Sequence, residues 1–69
     1  MNAEITYTLD GNVVKIHRLF RDDIVLNRES VKLAISNVKN NRDSYATEEA
    51  YRLHLAMYEN ALAQFITEQ

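Results

Sequence analysis

The side chains of this sequence whose types and spacing could support chemistry are two histidines, a row of cations and a set of tyrosines. His54 is expected to share a helix face with Tyr51, Tyr58 and Ala61. There it could hydrogen-bond a tyrosine, touch a ligand or act as a pH-sensitive contact. With no adjacent acid or nucleophile, the plainer expectation is a histidine buried at an interface with one nitrogen satisfied. Metal chemistry finds no support in the spacing. The residue three before His54 is Tyr51 rather than the Glu of four-helix di-iron sites, and no His-Glu-x-x-His run occurs. His17 is expected opposite Glu4 on neighbouring strands, a charge-assisted pair that would need a nucleophile and a concavity to become an acid–base dyad. A solvent-facing pair is the expected outcome, so no catalytic residue, metal or cofactor is assigned.

Arg28, Lys32 and Lys39 fall within about 40° of one another on a helix wheel, with Arg42 a turn beyond. Such a row could hold the phosphates of a nucleotide, a cyclic dinucleotide or a nucleic-acid backbone. The plain alternative is a solvated cationic face with Glu29 close by in sequence. Glycine occurs once, so no glycine-rich loop can bring backbone N–H groups to a phosphate, and P-loop and Rossmann sites are excluded. Tyr51 and Tyr58, seven apart, suit a core or interface stripe, while Tyr45, near a turn, suits an exposed anchor for a partner or a base.

These residues need elements to position them. Asp10-Gly11 is the strongest short hairpin signal in the chain. To its left Ile5-Thr6-Tyr7-Thr8-Leu9 alternates, and to its right Val13-Val14-Lys15-Ile16-His17 is β-branched. A two-residue Asp10-Gly11 loop would set Tyr7 opposite Val14 and Ile5 opposite Ile16 on one face. Thr8 with Val13, Thr6 with Lys15 and Glu4 with His17 would then occupy the other. The second strand fades into Leu19-Phe20-Arg21. Asp22-Asp23 or Asn27 then caps a first helix, in which Val31, Ala34, Ile35 and Val38 form the apolar stripe and Ile24 extends it by a heptad. Leu26 and Leu33 would lie together on its opposite side, a second face to bury. Residues 40–44 are polar and turn-forming. Thr47, followed by Glu48-Glu49, reads as the N-cap of a second helix, with Asp43 or Ser44 as competing caps.

That second helix is apolar around about half its circumference, through Tyr51, Leu55, Met57, Tyr58, Ala61, Leu62, Phe65 and Ile66. A chain of 69 residues has little else to cover such a surface. Cysteine is absent, which removes disulfides and thiolate zinc as sources of stability and leaves self-association. Charge is segregated: residues 15–42 hold seven cations against three acids, and residues 43–69 one cation against five acids. The two halves can attract each other between subunits or helices, but the overall charge of −2 is far from that of a dedicated nucleic-acid protein. No stretch approaches the roughly 20 apolar residues of a membrane span, and no secretory signal is visible. A cytoplasmic protein without membrane attachment is expected.

The expected fold is α+β: an N-terminal β-hairpin followed by an antiparallel helical hairpin, in the order ββαα, completed by homo-oligomerisation. It forms one domain over residues 1–69, with the hairpin at about 4–20, helix one at about 23–40 and helix two at about 46–67. The expected oligomer interface is Leu26, Leu33, Tyr51, His54, Leu55, Tyr58, Leu62 and Phe65. Arg28, Lys32, Lys39, Arg42 and Tyr45 are the expected phosphate- or partner-binding residues. The function class that fits is a non-enzymatic interaction protein, a homo-oligomeric (dimer or larger) regulator or inhibitor of another macromolecule, in the style of bacteriophage accessory proteins. The alternative is a binder of a phosphorylated ligand, a nucleotide signal or nucleic-acid backbone, through the basic face of helix one.

Overall fold

The computed structural model describes residues 5–67. It shows an α+β fold in the order β1 (Thr6–Asp10), β2 (Val13–His17), β3 (Ile24–Asn27), α1 (Arg28–Asn40), a 3₁₀ turn (Arg42–Ser44) and α2 (Glu48–Thr67). The strands form one antiparallel sheet in the order β1-β2-β3. No helix among the described residues is long and apolar enough to cross a membrane.

The hairpin forms, with its register displaced by two residues from the expected one. Asp10 pairs with Val13, Leu9 with Val14 and Tyr7 with Ile16, so the loop is Gly11-Asn12 rather than Asp10-Gly11. Gly11 takes φ 63° at the first loop position, as a type II′ turn requires. An Asp10-Gly11 loop of type I′ would have put Asp10 at positive φ. In its observed place Asp10 stays in the ladder and reaches Lys15 Nζ at 3.5 Å. A slip of two preserves the faces. Tyr7, Leu9, Val14 and Ile16 therefore still point to the core, while Thr6, not Glu4, stands opposite His17. Glu4 lies outside the described residues.

The larger correction is a third strand. Residues 24–27, expected as the opening of helix one, pair antiparallel with β2, with Ile24 opposite Ile16 and Leu26 opposite Val14. Ile24 and Leu26 turn inward and Val25 outward, the period of two that a half-buried strand needs. The heptad reading of Ile24 loses because a paired strand seats Ile24 and Leu26 together, whereas a helix would set them on different faces. The helix begins one residue later, where the Asn27 side-chain oxygen accepts the Ser30 N–H at 2.8 Å. That bond satisfies one of the orphan donors of the first turn. Leu26 and Leu33 consequently do not share a face. Leu26 packs on the core, whereas Leu33 stands on the outside of α1 at 64% exposure.

Val14 and Ile16 of the central strand, Val31 of α1, and Met57, Ala61 and Phe65 of α2 form the core. Helix α2 starts at its Thr47 cap, whose hydroxyl accepts the Ala50 N–H at 3.0 Å, and packs against α1, β1 and β2 together. Most of its wide apolar arc meets a helix along one side and a sheet beneath, while Ile66 at its end stays more than half exposed. Tyr58 and Leu62 pack on the same core.

Candidate interaction surfaces

Three groups of polar side chains and one loop define the surface. The first group joins the 3₁₀ turn to α2. Arg42 Nη2 donates to Glu48 Oε2 at 2.7 Å, and Arg52 Nε donates to the same oxygen at 3.2 Å. The Arg42 guanidinium lies 4.9 Å over the Tyr51 ring, and the Tyr45 ring meets Tyr51 edge-on at 5.9 Å and His54 at 5.2 Å. The Arg42 hydrogen bond, with its charge, holds the Glu48 carboxyl below its usual range, and the same bond raises Arg42. Arg42, expected to bind phosphate or a partner, is thus already occupied as a clasp between the turn and the first turn of α2. Tyr45, expected as an exposed anchor, is half-buried in this stack. His54 is exposed rather than buried, and its Nδ1–H donates to the Ala50 carbonyl at 2.9 Å.

The second group is the row of cations on α1. Lys32 lies 3.9 Å from Glu29 one turn earlier. Arg28 and Lys39 make no ion pair among the described residues, but eleven positions of helix separate them by roughly 16 Å. The four expected cations therefore do not converge on one phosphate.

The third group lies on the outer sheet face and was not anticipated. His17 Nδ1 lies 3.0 Å from Asp23 Oδ2, and its Nε2 lies 3.0 Å from the Thr8 hydroxyl oxygen. A hydroxyl, an imidazole and a carboxylate in series are the parts of an activated nucleophile. Acyl transfer would also need oxyanion donors about 3 Å from the reacting atom and a substrate cavity. The series ties β1, β2 and the approach to β3 together. Among the described residues, no cluster of three His, Asp or Glu could hold a metal ion.

The residues of the expected oligomer interface differ in exposure. Tyr51 and Phe65 are buried, and Leu26, Leu55, Tyr58 and Leu62 are half-buried. Only Leu33 and His54 of that set are exposed.

The most exposed apolar side chain of the described residues lies between β2 and β3. Leu19 is 57% exposed and Phe20 95% exposed, and Phe20 adopts φ 63°, the left-handed region. An aromatic residue there is a backbone outlier costing on the order of 1–2 kcal/mol. The loop is braced around it: Arg18 Nη2 donates to the Asp22 carbonyl at 2.6 Å, and the Arg21 N–H to the Arg18 carbonyl at 3.4 Å. Arg18 Nε is covered without a hydrogen-bond partner, a further cost of about 1–3 kcal/mol. Strain, an unsatisfied donor and a bare aromatic ring thus meet in six residues. The sequence signal was an apolar pair, Leu19-Phe20, set between Arg18 and Arg21-Asp22-Asp23 in a segment that otherwise reads as a turn.

At the other end of the sheet, a groove of about 370 Å³ opens between the β1–β2 turn and the start of α1. Leu9 and Phe65 line it with apolar surface, and Asn27, Arg28 and Glu29 supply its polar side. No protein-family model, curated protein or solved structure matches this chain.

Proposed function

We propose that this chain is a small non-enzymatic interaction protein, a self-associating regulator or inhibitor that acts by binding another macromolecule. The observation that supports it best is Phe20. A chain this short leaves its most exposed aromatic at the tip of a braced, strained loop, and such outliers concentrate where contact is made. The mechanism is occlusion: an apolar tip with a neighbouring cation seats in a partner and blocks or redirects what that partner does.

The test compares tagged wild-type protein with Phe20→Asn in extracts of the native host, followed by assay of the recovered partner's own activity. The wild type should change that activity at stoichiometric concentration and Phe20→Asn should not. Turnover of a substrate by the purified chain, lost in His17→Ala or Thr8→Ala while the fold persists, would replace this reading with an enzymatic one. The phosphate-binding reading now rests on Arg28, Lys32 and Lys39 without Arg42. It predicts binding that weakens steeply with salt and is lost in a Lys32/Lys39 double substitution.

A further inference from the structure

We propose that copies of this chain associate end to end, the Phe20 tip of one seating in the groove between the β1–β2 turn and α1 of the next. The inference specifies the surface for the self-association in the proposed function and rests on that part of it alone. The strand order puts the two features at opposite ends. β1 runs to the Gly11-Asn12 turn, β2 returns to the Leu19-Phe20 loop, and β3 runs back to the start of α1. One end carries a protruding ring and the other an apolar recess.

Size and charge both agree. A cavity of about 150 Å³ is enough to hold a benzene ring, and the groove offers about 370 Å³ next to Leu9 and Phe65. Beside Phe20 stands Arg21, followed by Asp22; beside the recess stand Glu29 and Arg28. An inserted tip can set Arg21 against Glu29 and Asp22 against Arg28, so both rim pairs are of opposite sign. Neither Arg21 nor Arg28 forms an ion pair within its own chain among the described residues. Burying Phe20 also removes from water the most exposed large apolar side chain of the described residues. A contact between two different patches does not close on itself as a two-fold dimer does. Open chains or rings are its products.

Sedimentation velocity across a dilution series of the full chain tests this. The wild type should show an average mass that climbs with concentration past that of a dimer. Phe20→Asn, which keeps the left-handed backbone available, should fold and should weaken association about thirtyfold or more, as loss of a central aromatic anchor does. Arg21→Glu and Glu29→Arg should each weaken it roughly three- to tenfold by opposing like charges. The chain carrying both substitutions should recover most of the loss, since each tip again meets its complement. Circular dichroism melts verify that every variant is folded. A wild type that stays monomeric at every concentration overturns the inference and self-association alike, while leaving binding of another macromolecule testable by the host extract. Association that is indifferent to Phe20→Asn, a single closed dimer, or no recovery in the double substitution overturns the inference alone.

Discussion

Helix α2 and the β2–β3 loop reverse the roles their sequences suggest. The helix is the most apolar segment of the chain and reads as a surface in want of a partner. The loop reads as the fading end of a strand. In the structure α2 buries Tyr51, Met57, Ala61 and Phe65 and leaves Leu53 and Ile66 more than half exposed, whereas the loop leaves Phe20 almost wholly in water with Leu19 beside it. The difference lies in what stands opposite each segment. α2 meets α1 and the β1 and β2 strands of the sheet, while the third strand, residues 24–27, packs against α1. The loop turns back on itself through Arg18 and Asp22, and its hydrogen bonds direct the apolar pair outward. Apolar content alone therefore does not locate a contact surface; the count of neighbouring elements decides it.

The sharpest way to break this comparison is to remove the cover under α2. Ile16 is fully buried on the central strand, opposite Ile24 and beneath the helices. Ile16→Ala should destabilise the chain by about 2–5 kcal/mol in urea unfolding, through lost transfer energy and a residual cavity. For a domain whose total is on the order of 5 kcal/mol, that is close to complete unfolding. A loss below about 1 kcal/mol would mean that the sheet does not carry the helix.

The next effect concerns the switch from strand to helix. Asn27 both closes β3 and caps α1 through the Ser30 N–H. Asn27→Ala should cost about 1 kcal/mol of stability, and a backbone chemical-shift comparison should show residues 24–27 losing strand character. Retained stability with an unchanged strand would show that pairing with β2, rather than the cap, sets the boundary.

In the loop the sign should reverse. Phe20→Asn relieves a left-handed conformation that Asn tolerates far better than Phe, so stability should rise by about 0.5–1 kcal/mol while binding falls. A fall in stability would show that Phe20 packs at home and would return the contact surface to Leu33 and the outside of α1.

How much of this was legible in the sequence follows from the range of the signals. Asp10-Gly11 announced a hairpin, and alternation fixed which side chains face inward, because both are properties of adjacent residues. The register escaped by two because a single glycine serves a type II′ turn at its first position as well as a type I′ turn at its second, and faces repeat with the same period. Ile24 suited a helical stripe and Leu26 its far side, while both suited one face of a strand. Only the presence of an edge on β2 distinguishes them, and that is a tertiary fact. The Thr47 cap was readable locally. Nothing local could foretell that Arg42 would be consumed by Glu48 and Tyr51, or that the hydroxyl, imidazole and carboxylate of Thr8, His17 and Asp23 would line up across three separate segments. Phe20 was visible as a residue but not as a tip, since its exposure depends on the backbone turning left-handed beneath it.

The smallest predicted effect tests how α2 is held at its other end. The Arg42 hydrogen bond draws the Glu48 carboxyl below the usual carboxylate range in the folded chain. A group of this kind binds protons more weakly when folded, so its contribution is present above the unfolded-state pKa. It is lost as pH falls through the lower, folded value. Urea midpoints measured from neutral pH into the acid range should decline for the wild type partly through this group. Glu48→Gln should lower stability slightly at neutral pH and flatten the acid decline, because the variant has no proton to take up. Both partners are exposed, and salt should shrink the difference between wild type and variant. If the acid slope of Glu48→Gln matches that of the wild type, the clasp does not contribute to folding. The N-terminal end of α2 then depends on the Thr47 cap and the burial of Tyr51, which would leave the packing of the helix on its sheet as the main restraint on this segment.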